Sequence, residues 1–541
     1  MRRTRDWSGS KVVHLYPHTR ECPACQEPLE ERYHKERWIV QLGQKLHVIS
    51  HFLECHTRGC RLREAVYRPE GEDILALRGY TFGIDVIALI GELRYSRNLS
   101  IPEIHHQLHQ EELSISVKEV ALLCEVYLAL VTTVAREDKS LIKELRDLGG
   151  IVLAIDGVQP EKGNETLYIL RDVRLGRVLV ARNLLSSATP EIEKLLDEVI
   201  CLGVPILGVI SDKQESIRLA VSRRLEGVPH QLCHYHYLRD LAQPVCEADR
   251  HVKKEIKKGV RSIRQIELEV KDVKGLEAEV VRDYCLAIRT VLQKEGHYPL
   301  EPAGVRLYKD LKAISDSLER AISLRPSSLF ERLRNRLSIV EFYQREVEHL
   351  DRVFGLIRHI NQLLDTSGSE EEARHKLLSF VESLRESAVE EKMLSWLEHF
   401  EHITRSFAPY LFAYLKQPLL PRTNNELEIF ISRMKKSRRQ ATGRKNTQEF
   451  ILREGSWVAI LFGLPPLSNL VTSFSQVDFD KVRQTLNALR RTSERSKCWR
   501  IRRDLPDYLL GLEKHLLPPV CDRLSLRSLR TTQILESQLS T

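Results

Sequence analysis

The sequence predicts a multidomain α+β chain in which an α/β core is interrupted by a large all-α insertion. Three observations predict it. Four cysteines fall as two close pairs among short extended runs in residues 1–75. Between 150 and 240, apolar runs of strand length alternate with turn signals and two helical stretches. From 241 to 420 the strand signals vanish and a Leu-rich helical period takes over, as in Leu377-Leu-Ser-Phe-Val-Glu-Ser-Leu and Met393-Leu-Ser-Trp-Leu-Glu-His-Phe.

The cysteine pairs come first. Cys22-Pro-Ala-Cys25 is followed 30 residues later by Cys55-His-Thr-Arg-Gly-Cys60. Two pairs on short turns can offer four thiolates to one tetrahedral Zn²⁺, and a site closed by four ligands is structural. His51 and His56 are substitute ligands. With Trp38-Ile-Val-Gln-Leu and Lys45-Leu-His-Val-Ile between the pairs, residues 1–75 read as a zinc ribbon. The chain has 11 cysteines, an odd number, and Met1-Arg-Arg-Thr-Arg-Asp-Trp carries no apolar stretch behind its charges. No secretory leader and no disulfide framework are therefore expected. Cys124, Cys201, Cys246, Cys285, Cys498 and Cys521 read as ordinary thiols.

Residues 76–145 hold three short helical patterns with tight breaks. Gly83-Ile-Asp-Val-Ile-Ala-Leu-Ile-Gly-Glu-Leu is the first. Ser100 caps the second, with Pro102 in its first turn. Ser116 caps the third, and Glu119 completes a capping box. This suits a helix-turn-helix whose last helix enters a DNA major groove, with Lys118 at its start, or else a plain three-helix packing unit.

Residues 146–240 read β-β-β-α-β-α-β. Ile151-Val-Leu-Ala-Ile runs into Asp156-Gly157, and a hairpin turns at Arg174-Leu-Gly176. Thr189-Pro190 opens a helix, Pro205-Ile-Leu-Gly-Val-Ile runs into Ser211-Asp212, and a helix and the short strand His230-Gln-Leu follow. Three antiparallel strands with a parallel addition are the pattern of a ribonuclease-H-like core. The all-α insertion spans 241–420, and Trp396 within it reads as helix core, with stacking on a displaced base as its functional alternative. Residues 421–465 return to the core as a basic helix and an apolar one. Residues 466–541 are a basic tail.

Two acids end apolar strands of one sheet. Asp156 and Asp212 thus sit at the sheet's edge, where carboxylates can hold a cation. The third candidate lies in Asn425-Glu426-Leu-Glu428. The two glutamates are about 200° apart on a helix. Lys435 and Arg439 fall on the face of Glu428 and Arg438 flanks it. Glu426 points elsewhere. One acid beside a cationic stripe suits a surface that grips phosphates.

Asp156-Gly157, Asp212 with the downstream Cys233-His-Tyr-His236, and Asn425-x-x-Glu428 with Lys435 and Gly443 together resemble a DDE transposase of the Mutator-like and related bacterial insertion-sequence group. The resemblance covers 150–240 and 421–446, and the amino-terminal modules and the insertion fit the same plan. It implies that Asp156, Asp212 and Glu428 bind two Mg²⁺ (or Mn²⁺) ions for cleavage and joining of DNA strands. It implies as partners the element's terminal repeats and target double-stranded DNA, and a homo-oligomer on paired ends. Cys233 and His236 would be a signature beside the active site that positions the second aspartate or DNA; no further ligands to complete a Zn²⁺ site are evident next to them. Lys118, Lys435, Lys436, Arg438, Arg439, Arg444 and Lys445 would contact DNA. The alternatives are a domesticated, catalytically silent sequence-specific DNA-binding protein and a nuclease that cleaves without joining.

Composition bounds these readings. Hydrophobic residues are 42% and charged residues 29%, which excludes disordered, collagen-like and membrane classes. No apolar run approaches the roughly 20 residues that span a bilayer. The expected location is cytoplasmic and nucleoid-associated. Lys and Arg number 83 against 75 Asp and Glu, a net +8. Residues 421–445 alone hold eight of the cations (422, 433, 435, 436, 438, 439, 444, 445) against two glutamates. The net charge thus concentrates beside one proposed metal ligand.

Overall fold

The computed structural model describes residues 7–159, 164–384, 391–464, 470–475, 477–491, 501–502 and 504–516. Cys498, Cys521 and much of the basic tail lie outside them. The chain forms two compact units. One holds residues up to Glu137, Ser437–Leu461 and the described residues from 470 on. The other holds Asp138–Lys436 and Phe462–Gly463-Leu464.

The first unit begins with a sheet. Strand β1 (Lys11–Leu15) runs parallel to β3 (Gln44–Glu54), which pairs antiparallel with β2 (Glu30–Gln41) and with the short β4 (Val66–Tyr67). The β2–β3 hairpin is far longer than the short extended runs in the sequence suggest. Charged residues fill the first half of β2, so alternation is hard to read there. Its core is small: Ile39, Leu46, Val48 and Ala76 are fully enclosed, with Val13, Leu15 and Leu75 against them.

Helices α1 (Ile84–Gly91), α2 (Ile101–Gln110) and α3 (Val117–Glu137) follow. The expected capping box at Ser116 forms, and the expected cap at Ser100 is a capping box as well. Ser100 accepts from the Glu103 N–H while Glu103 accepts from the Ser100 N–H. Ser116 and Glu119 do the same, at 3.2 and 3.0 Å. Helix α3 is 21 residues long, and Val120 to Thr133 is largely buried. Gly91 lies flat on the Tyr127 ring; an added Cβ would stand 2.1 Å from it, so only glycine lets α1 approach α3. The helix Phe479–Arg491 packs on α3, with Thr133 Oγ1 donating to Thr485 Oγ1 and Glu125 facing Arg453 and Arg490. Helix α3 is thus mainly a core helix. Val117, Lys118 and Leu122 at its start stay exposed.

The second unit is built on a five-stranded sheet of order β7-β6-β5-β8-β9. The strands are β5 (Ile151–Val158), β6 (Thr166–Asp172), β7 (Val178–Leu184), β8 (Ile206–Ser211) and β9 (His230–Leu232). The first three pair antiparallel, and β8 and β9 add in parallel. Alternation assigns the faces. Ile151, Leu153 and Ile155 point into a core with Ile192, Leu195, Leu196 and Val199 of α4 (Thr189–Ile200) and Ile217, Ala220 and Val221 of α5 (Glu215–Arg224). The opposite face carries Val152, Ala154 and then Asp156. There the sheet lies close to Leu420, which would stand 2.8 Å from a Cβ on Gly208.

The insertion grows out of α6 (His234–Gly259), which starts at the end of β9. It packs against the helices Ala303–Leu324, Gln344–Leu363 and Glu391–Phe407, and no strand occurs among the described residues of 241–420. Buried Asp249 accepts from the Gly304 and Val305 N–H groups at 2.7 and 2.8 Å, which satisfies the start of helix Ala303–Leu324. Trp396 is buried, as a helix-core residue should be.

One buried imidazole makes this unit pH-sensitive. His230 meets Ser211 Oγ at 2.9 Å, and burial, with the Arg218 charge adding to it, pushes the ring down to about 4. The unfolded chain takes up this proton near 6.5 and the folded one only near 4. Stability is therefore full above pH 6.5 and falls as pH drops toward 4, by up to about 3 kcal/mol. Thermal unfolding followed against pH should show this slope, and His230→Gln should reduce it, leaving the share of His234, which burial likewise pushes down to about 4. An equal slope in that variant would assign the loss to other groups.

Candidate metal centres

The four amino-terminal cysteines come together. Cys22 and Cys25 sit on the turn after β1; Cys55 ends β3 and Cys60 lies on the next turn. Cys22 Sγ stands 3.7 Å from Cys60 Sγ, and Cys25 Sγ stands 3.6 Å from Cys55 Sγ. All four sulfurs lie within 4.8 Å of one another. The turns aim N–H groups inward. The Leu62 N–H donates to Cys60 Sγ, and the Ala24 N–H, ahead of that of Cys25, pulls the Cys22 thiol down to about 6 against burial. Cys60 resists: although the Leu62 N–H pulls its thiol down, burial and the other sulfurs push it up to about 11. Four sulfurs so placed cannot all ionise without a cation, and such a set could bind a structural zinc. The two histidines do not enter it. His51 engages His14 through Nε2 and Glu31 through Nδ1, at 2.9 and 2.7 Å. His56 turns to Glu54 at 3.2 Å.

A second constellation lies in the other unit. Strands β5 and β8 pair in parallel with Ala154 opposite Ile210. Two residues further along each strand stand Asp156 and Asp212, on the same face and about 5 Å of strand spacing apart. Gly157 has no side chain because Tyr168 crosses it; a Cβ there would stand 2.9 Å from the ring. Asp156 Oδ1 accepts from the Gly157 N–H at 2.8 Å, and Asp212 Oδ1 from the Gln214 N–H at 3.0 Å. Gln214 is in turn held by the Tyr168 hydroxyl at 2.6 Å.

The third acid arrives on α7 (Asn425–Thr442). The residue that seats this helix is Asn424, just before it and almost fully buried. Its side-chain amide donates to Ile155 O at 3.1 Å, its N–H to Cys233 Sγ at 3.3 Å, and its carbonyl accepts from the Glu428 N–H at 3.2 Å. One asparagine thus ties the end of β5, the start of α6 and the first turn of α7. The sequence pattern points to Asn425, which is exposed. An asparagine four residues before the acid, at a capping position, was the available signal.

The electrostatics fit these positions. Burial first, then the Asp212 charge and also Glu428, push the Asp156 carboxyl up to about 7, with Gly157 N–H and Lys435 pulling the other way. The two glutamates of α7 face apart, as helical geometry requires: Glu426 acts on Arg171, whereas Glu428 acts on Asp156, Cys233 and His236. Asp156, Asp212, Glu428, Cys233, His236 and Lys435 therefore share one neighbourhood.

The basic residues divide. Lys118, Lys436, Arg439, Arg444 and Lys445 are exposed. Arg439 Nε donates to Lys445 O, and Arg444 faces Glu449 at 3.6 Å. Arg438 turns inward, stacked over Phe450 and 3.7 Å from Glu454, so it is committed within its own unit. No helix among the described residues is long and apolar enough to cross a membrane. No protein-family model matches this chain, and no curated protein matches it either.

Proposed function

We propose that this protein is a DDE-type DNA transposase with a ribonuclease-H-like core, which cleaves and joins strands at the ends of a mobile element. The observation that carries the reading is the convergence of three carboxylates. Asp156 lies within β5 two residues beyond its last pair with β8, Asp212 directly follows β8, and Glu428 comes from a distant helix seated beside β5 by Asn424. Acids that raise one another's ionisation cost are suited to a hard divalent ion, and the Asp156 carboxyl, held up near 7, marks that need. Asp156, Asp212 and Glu428 would hold two Mg²⁺ or Mn²⁺ ions. When bound, such ions supply charge stabilisation for the attacking and leaving oxygens of an in-line phosphodiester displacement.

The chain's own residues do the rest. Gly157 and Gln214 N–H groups fix one oxygen of each aspartate, so the other can turn toward the cations. Asn424 fixes the register of α7, and therefore the position of Glu428. Lys435 adds positive charge on the same side. The four-cysteine module, helices α2 and α3 and the exposed cations would bind the element ends, with the protein acting as an oligomer on paired ends.

The test is incubation of the purified chain with Mg²⁺ and duplexes carrying the inverted repeats that flank its coding region. Cleavage at the repeat and joining to a second duplex support the reading. Binding to the repeat without cleavage, at any Mg²⁺ or Mn²⁺ concentration, supports the silent DNA-binding alternative. Cleavage without joining supports a nuclease.

Exposed cations should act as phosphate contacts and carry no base preference. Lys436→Ala, Arg439→Ala and Lys445→Ala should each weaken binding to any duplex. Each should also lower the slope of log affinity against log salt by about 1. Arg438→Ala should leave the slope unchanged, since its charge is already paired with Glu454. Fluorescence anisotropy across a salt series measures both.

A further inference from the structure

Cys233 and His236 lack a ligand partner in the neighbouring sequence, and tertiary structure supplies one. Cys233 stands at the start of α6 and His236 three residues on, so helical geometry puts both on one face. Glu428, 192 residues after His236, is brought to them by α7. A sulfur, an imidazole nitrogen and a carboxylate oxygen of these residues lie within 4.8 Å of one another. His236 Nε2 is 3.6 Å from Glu428 Oε1. That distance is too long for a hydrogen bond and suits two ligands of one ion.

A further observation points to a missing cation. Glu428 Oε1 is buried with no hydrogen-bond partner, and the nine-tenths buried His236 turns its Nε2 toward that oxygen. Leaving such a group unpaired costs roughly 1–3 kcal/mol, so a native site ordinarily satisfies it. The Asn424 N–H meanwhile donates to Cys233 Sγ and so holds the sulfur beside the other two groups.

We propose that Cys233, His236 and Glu428 form a second Zn²⁺ site, with three protein ligands and an open fourth position. Thiolate and imidazole select a borderline-soft ion such as Zn²⁺ over Mg²⁺. The site is separate from the four-cysteine cluster, which belongs to the other unit. It shares Glu428 with the proposed acidic triad, so occupancy by Zn²⁺ would draw that carboxylate away from Asp156 and Asp212. The proposal stands on its three ligands and does not require the transposase reading to hold.

The experiment uses the full chain, first saturated with one Zn²⁺ at the four-cysteine site and then titrated with Co²⁺ as a spectroscopic probe. A thiolate-to-cobalt absorption band should grow to an end-point of one Co²⁺ per chain. In Cys233→Ala the band should be absent. In His236→Ala the sulfur remains, so the band should persist while affinity falls at least about tenfold, the scale seen when metal sites lose supporting groups. No band in the wild-type chain, or the same band and end-point in Cys233→Ala, would overturn the site. Should Cys233→Ala fail to fold, the His236→Ala titration decides: unchanged affinity rejects the proposal. The readout needs neither DNA nor turnover, so failure of this site and failure of the cleavage assay are distinct results.

Discussion

Asp156→Asn and Glu428→Gln should each reduce Mg²⁺-dependent strand cleavage on the order of 10³-fold, about 4 kcal/mol of barrier at 1.36 kcal/mol per factor of ten. Both substitutions keep size and remove charge. Burial first, and then the Asp212 and Glu428 charges, raise the Asp156 carboxyl, and bound cations would offset both. The informative control is Glu426→Gln. Glu426 lies two residues from Glu428 but faces Arg171, so its loss should change cleavage less than about threefold, within the usual range for a surface charge. Single-turnover cleavage of a labelled duplex measures all three. If Glu426→Gln abolishes cleavage and Glu428→Gln does not, the helix face is misassigned. If Asp156→Asn cleaves as well as the parent, the site is not catalytic.

Removing the cysteine ligands should have the second large effect, on folding. Cys22→Ser with Cys25→Ser should lose about one Zn per chain, and residues 11–67 should become accessible to protease while the second unit stays resistant. The module has a small apolar core, Ile39, Leu46, Val48 and Ala76 with Val40, Phe52 and Leu53 beside them, and the first half of β2 is exposed. Structural zinc contributes about 10–16 kcal/mol in small metal-dependent folds, far beyond what such a core can replace. Elemental analysis and limited proteolysis read the outcome. Unchanged metal content in the double variant would remove zinc from the account of this cluster.

Much of the frame is legible locally. Strands β5 to β9 appear at the expected places because each is a short apolar run between turn residues, and buried strands need that pattern. The Ser100 cap and the Ser116 capping box were readable because a cap is decided by residues within three of one another. The cysteine spacing announced two thiol pairs on short turns, each again a matter of a few residues. The separation of Glu426 from Glu428 followed from helical geometry alone.

Other features were not readable, and each depends on residues far apart in the chain. The length of the β2–β3 hairpin is hidden because the first half of β2 is charged on both of its faces. The burial of α3 depends in part on the helix Phe479–Arg491, more than 340 residues beyond it, so most of its length is core and Val117, Lys118 and Leu122 near its start are exposed. Arg438 looked like part of a cationic stripe, and Glu454 takes it inward.

What the sequence by itself determined is therefore the inventory: which runs become strands, where helices start, and which acids, thiols and imidazoles are available. Those choices rest on backbone geometry and contacts a few residues apart. Tertiary structure decided which of these groups meet. The pairing of β5 with β8 sets Asp156 beside Asp212, and Asn424 carries Glu428 to both of them and to Cys233 and His236. Local patterns hold no information on such meetings, because closing a loop of some 190 residues is rewarded only by the packing at its ends.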